Sequence, residues 1–125
     1  MFLNLSNHPS AEWSGPQMEH ARRLGGSIEI MDLPFPHVDP AWDTEQVAEV
    51  ARAVARRALV TGAKAALVEG EFVLTLALVL LLEKAGLPCY AASSPRIAAQ
   101  TKLPDGSVRK TVHFEFVRFR RYWVG

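Results

Sequence analysis

The chain has one cysteine, Cys89, in 125 residues. No internal disulfide can form, no Cys/His spacing suits a structural zinc site, and a reducing compartment is expected. Charge of one sign is also lacking: 14 Lys and Arg against 13 Asp and Glu leave a net charge of +1. That balance excludes a strongly basic nucleic-acid coat or an acidic tail, so an anionic partner has to be met by a local cluster of charge. The longest apolar run, residues 72–82, is about half the roughly 20 residues of a membrane helix and is flanked by Glu71 and Glu83. Asn4, Ser6 and Asn7 interrupt the amino terminus before any leader-like apolar core develops, so a cytoplasmic protein is expected. A Walker loop, a dinucleotide fingerprint, a glycosidase carboxylate pair, a glycine-flanked serine elbow and a cysteine with a recognisable partner histidine are all missing. His37 with Asp39 is the closest approach to a metal pair, and a proline-rich loop explains it equally well. Neither metal nor cofactor is expected.

What is present reads as one domain over residues 1–125, long enough for a single core. Residues 2–5 form a first apolar strand. Ser14, with Gln17 three positions on, opens a helix through Met18, Ala21 and Leu24 that Gly25 and Gly26 stop. Residues 27–33 alternate as a second strand, and Pro34, Pro36 and Pro40 stiffen the loop after it. Asp43 or Thr44 caps a second helix, in which Val47, Val50, Ala51, Val54, Ala55, Ala58 and Leu59 share one face. Residues 65–68 read as a central strand, and Glu69-Gly70-Glu71 leads into a third helix. That helix is apolar almost all round, which predicts burial on two sides, under the sheet edge or against a second subunit. Gly86 ends it, and residues 87–92 make a fourth strand.

This β-α-β-α-β-α-β order predicts an α/β fold, a Rossmann-like, mainly parallel sheet flanked by helices. The tail reads as a C-terminal antiparallel β-hairpin. Its strands, residues 97–103 and 108–122 around Pro104-Asp105-Gly106, are expected to extend one sheet edge.

Parallel strands all run into their loops at one edge, so residues 6–13, 32–39, 69–71 and 93–96 should meet there. They bring His8 for proton movement, Arg96 for anionic oxygen, Asn7, Ser10, Ser93 and Ser94 as hydrogen-bonding groups, and Trp13 for stacking. Gly70 permits close approach of a ligand or an unusual backbone. Each also has a plain structural reading: His8 as a loop histidine bonded to backbone, Ser14 as a cap, Trp13 as packing, and Glu71 as a partner of the helix dipole. Arg109, Lys110, Arg118, Arg120 and Arg121 lie among Val112, Phe114, Phe116 and Phe119. They suit a solvated edge strand, or an RNA-binding face if aromatics were exposed beside them; alternation turns Phe114 and Phe116 inward.

Four stretches together resemble a family of small bacterial CRISPR-associated proteins: residues 4–13, residues 32–36 with Val38-Asp39-Pro40, residues 68–71, and residues 117–120. The opening strand followed by His8-Pro9, a small residue and Trp13 is also similar to the start of small CRISPR-associated ring nucleases, which share a Rossmann-like core with cyclic oligoadenylate sensors. The resemblance implies a homodimer whose strand-end loops bind a cyclic oligoadenylate second messenger in type III CRISPR antiviral defence. It further implies metal-independent cleavage by attack of a ribose 2′-hydroxyl. His8 then becomes an acid or base and Arg96 a partner for phosphate charge. Asn7, Ser10, Ser93 and Ser94 become positioners, and Trp13 a base platform. Glu69 and Gly70 would be ligand contacts, with Glu69 reading an adenine or ribose edge. The alternatives are a noncatalytic dimeric module that binds or sequesters a nucleotide, RNA or protein partner, and an enzyme acting on another small nucleotide.

Overall fold

The computed structural model describes the backbone of residues 1–125 and all side chains except those of Arg96, Ile97, Ala99, Val112, His113 and Phe114. Its elements are β1 (Phe2–Leu5), α1 (Gly15–Gly25), β2 (Ile30–Asp32), α2 (Thr44–Leu59), β3 (Ala65–Val68), α3 (Phe72–Lys84), β4 (Cys89–Ser93), β5 (Arg96–Lys102), β6 (Val108–Phe114) and β7 (Arg118–Arg121). Five strands form one sheet in the order β2-β1-β3-β4-β7. The first four are parallel and β7 runs antiparallel to β4. The fold is therefore α/β, with a mainly parallel sheet and helices on both faces, as the alternation of elements predicts.

Strand periodicity divides the core in two. Leu3, Leu5, Ala66, Val68 and Cys89 pack with α2 and α3, whereas Phe2, Ala65, Leu67 and Phe119 pack with Ala21, Met18 and Leu24 of α1. The helix starts follow the expected chemistry. Ser14 accepts a hydrogen bond from the Gln17 amide, and Asp43 and Gln46 close a reciprocal capping box.

Two expectations are corrected. The second strand pairs only over residues 30–32; Gly26 turns left-handed at φ 72° and Ser27 Oγ takes the Glu29 amide. Ile28 is 80% exposed, since an edge strand buries little at its start. The hairpin does not extend the main sheet either: β5 and β6 form a separate two-stranded sheet. Residues 115–117 break what reads as one long strand, where Glu115 N donates to Pro95 O and Val117 N to Ser93 O. Only β7 then joins β4. Phe116 packs inward on Phe119 and His20, while the inward placement expected of Phe114 lies outside the described side chains. Within the single chain, α3 is buried on one side. Leu74, Leu78, Val79 and Leu82 enter the core, and Phe72, Val73, Leu76 and Leu80 stay exposed.

Candidate functional site

The chain runs from β1 outward to β2 and then returns to build β3 and β4 on the other side, so strand order reverses between β1 and β3. Outside the carboxyl ends of strands at such a reversal, two loops diverge and leave a crevice. Here the crevice is a cleft of about 840 Å³, lined by His8, Glu12, Trp13 and Gln17 from the β1–α1 segment, Glu69 after β3, and Ser94 after β4. Glu115 and Phe116, between β6 and β7, complete the wall.

The loop carrying His8 is held from below by polar groups that face into the protein. Asn4 is 1% exposed and Ser6 is also buried. Asn4 Nδ2 donates to His8 O at 2.8 Å and to Asp32 Oδ1 at 3.0 Å, and its Oδ1 accepts from Ser6 Oγ at 2.6 Å. His8 N donates to Ser6 Oγ at 3.2 Å, and Trp13 Nε1 donates to His8 O at 3.1 Å. Asp32 also accepts from the Ser10 amide, 3.2 Å from its Oδ2. The His8 backbone is thus fixed by three side chains, while its imidazole stands exposed in the cleft. A network of this kind, with every buried member paired, rigidifies the segment it holds.

Glu69 is fixed from two directions. Its amide donates to Leu5 O at 3.2 Å, and its Oε1 accepts from the Ala92 amide at 2.6 Å. Burial raises its carboxyl above the ordinary carboxylate range, opposed by the Ala92 hydrogen bond and by the nearby His8. Beneath it, Tyr122 donates its hydroxyl to Val68 O at 2.7 Å, and burial pushes that phenol up to about 12. Cys89 is buried and its thiol is likewise pushed up to about 12, which makes it an inert core residue. Outside the cleft lining, His20 meets the Phe116 ring edge-on and its Nδ1 accepts from the Phe119 amide; burial followed by Arg23 and Arg118 lowers its pKa.

The structure therefore brings His8, Trp13, Glu69 and Ser94 into one cleft. Trp13 is buried, packing edge-on to Phe2 and tilted against Phe119, and borders the cleft at the same time. Asn7, Ser10, Ser93 and Gly70 are not in its lining. Ser93 Oγ accepts from Arg120, and Gly70 has its close approach to Phe35: an added Cβ would lie 2.3 Å from that ring. The Arg96 side chain lies outside the described residues. Asp32 serves as a strut, and Asp39 instead borders a smaller cavity of about 330 Å³ with Trp42 and Glu71. Among the described residues no cluster of three metal-ligating side chains occurs.

Sequence reasoning missed Asn4 and His20, and it placed Ser6 and Asp32 in the edge loops without singling them out. A lone asparagine inside an apolar strand was the available signal for the first. The lining also has an unexpected charge pattern: Glu12, Glu69 and Glu115 are present, and among the described residues no lysine or arginine joins them.

A family model described as the Uncharacterized protein MJ1673 family matches residues 1–120, and the chain belongs to that family. Searches of curated proteins and of solved structures return no match. No helix among the described residues is long and apolar enough to cross a membrane.

Proposed function

We propose that this member of the MJ1673 family binds cyclic oligoadenylate in the cleft at its strand-order reversal and cleaves it without a metal, in type III CRISPR antiviral defence. The observation that carries this reading is the fixing of the His8 backbone by Asn4, Ser6 and Trp13 while the imidazole is left open to the cleft. Support comes also from the cleft's size, at the upper end of the range for small-molecule pockets, and from the aromatic walls of Trp13 and Phe116.

Cleavage by a ribose 2′-hydroxyl asks the protein for in-line positioning, proton movement and stabilisation of charge on phosphorus oxygens. His8 is the candidate for proton movement and Ser94 for positioning, with Trp13 and Phe116 beside the base. The carboxylates of the lining repel phosphate but accept hydrogen bonds from amino and hydroxyl groups. Bases and riboses therefore occupy the cleft with the scissile phosphate beside His8, and Asn7, Ser10, Ser93 and Arg96 stand as the candidate contacts of the remaining phosphates.

The second reading, a noncatalytic dimeric module, is favoured by α3. Phe72, Leu76 and Leu80 recur at i, i+4 and i+8, with Phe72 91% exposed, and form with Val73 an apolar stripe that a second copy of the chain would cover.

The experiment is incubation of pure protein with cyclic tri-, tetra- and hexa-adenylate plus chelator, measuring binding and linear product separately. Cleavage of one ring supports the proposal. Binding without product moves the reading to the noncatalytic module, and neither binding nor cleavage of any ring contradicts both as nucleotide readings.

A further inference from the structure

Glu69 and His8 stand on the two sides of the strand-order reversal, one following β3 and the other following β1. The backbone joins them: Glu69 N donates to Leu5 O at 3.2 Å, three residues before His8. Among the described residues the Glu69 side chain is held through Oε1, which accepts from the Ala92 amide at 2.6 Å, and that bond leaves its other carboxylate oxygen unused. A glutamine could accept the same amide without bringing a charge into a half-buried position. Retaining a carboxylate where desolvation opposes ionisation costs stability and is characteristic of groups that exchange protons. Glu12 and Glu115 also line the cleft, but both are exposed.

We infer that Glu69 is the general base and His8 the general acid of this cleft. The assignment rests on the reading of the cleft as a site of phosphodiester cleavage and deepens it. Glu69 takes the proton from the attacking 2′-hydroxyl as the 2′-oxygen forms its bond to phosphorus. The bond from phosphorus to the 5′-oxygen breaks, and the imidazolium of His8 gives that oxygen its proton. The products are a 2′,3′-cyclic phosphate and a 5′-hydroxyl, and no water, metal or redox partner is consumed. The upward displacement of the Glu69 carboxyl suits the role, because a base is most effective when its pKa lies nearer the working pH. Among the described residues the other ionisable groups of the cleft lining are Glu12 and Glu115, and Tyr122 feels the Glu69 charge. With its phenol near 12, Tyr122 stays neutral through pH 5–9.

The test is single-turnover cleavage of cyclic tetra-adenylate by wild type, Glu69→Gln and His8→Ala over pH 5–9, with binding measured on the same samples and folding checked by thermal melting. Expected for Glu69→Gln is an affinity within about threefold of wild type and a rate lower by roughly 10²–10⁴. The acid limb of its pH–rate profile should disappear, and His8→Ala should bind the ring without forming product across the whole range. A Glu69→Gln variant that cleaves at the wild-type rate, or that loses affinity and rate in parallel, overturns the assignment and leaves the cleavage reading standing. Wild-type protein that binds the ring and forms no product contradicts the cleavage reading itself.

Discussion

Replacing Asn4 by aspartate keeps the shape of the side chain and inverts its hydrogen-bonding sense at one atom. In the native protein Nδ2 donates to both His8 O and Asp32 Oδ1, and the residue is 1% exposed. In Asn4→Asp an oxygen takes the place of that nitrogen and faces a carbonyl and a carboxylate, with no donor between them. Two hydrogen bonds are lost, at about 1 kcal/mol for the carbonyl and roughly 1.5–3 kcal/mol for the charged partner, and a buried negative charge is added beside Asp32. The expected loss is ~3–5 kcal/mol, a large part of the 5–15 kcal/mol typical of a domain. Urea denaturation at pH 8 and at pH 4.5 measures it, with Asn4→Ala as the control. Acid should restore part of the loss in Asn4→Asp, because a protonated carboxyl becomes a donor again, and none in Asn4→Ala. A loss below about 1 kcal/mol at pH 8, or an equal loss at both pH values, would refute the view that this amide holds the His8 loop.

Glu83 accepts from the Cys89 amide and pairs bidentately with Arg121, whose guanidinium holds its carboxyl below the usual range. A depressed folded pKa contributes stability that is present above the unfolded value and is lost as pH falls through the folded one. Glu83→Gln should therefore lower the urea midpoint at pH 7, with the deficit closing toward pH 3; an acid-independent deficit would exclude the ion pair as its cause. Glu69 has the opposite sign, its raised carboxyl being costly once ionised. Glu69→Gln should melt at or above the wild-type temperature at pH 8, with the difference shrinking toward pH 4. Melting well below wild type would instead mark the carboxylate as structural. Gly70→Ala drives a methyl into the buried Phe35 ring and should cost about 1–3 kcal/mol with little change in ring affinity. A selective loss of affinity would place Gly70 in ligand contact.

The sequence was most legible where structure is local. The Ser14 and Asp43 caps, the apolar face of α2 and the glycine stops after α1 and α3 lie within a few residues of what they determine. The sheet edge where the strand-end loops meet followed from the order of elements, and His8, Trp13, Glu69 and Ser94 were legible as candidates on that ground alone. Partners brought together by β1–β2 and β1–β3 pairing were not legible. Asn4 meets Asp32, 28 residues away, and Gly70 meets Phe35, because parallel pairing puts strand ends side by side. Alternation continued through residues 115–117 with nothing local to mark the break that sends β7 to the main sheet. The apolar composition of α3 could not show which of its faces the core would take.

The central claim is that a histidine fixed at the strand-order reversal acts on a cyclic oligoadenylate. Its most direct test is cyclic tetra-adenylate incubated with wild type and His8→Ala in excess chelator, with products resolved by chromatography. The account predicts linear products ending in 2′,3′-cyclic phosphate from the wild type, and ring bound but uncleaved by His8→Ala. Equal cleavage by both proteins, or loss of the wild-type activity on chelation, would contradict it.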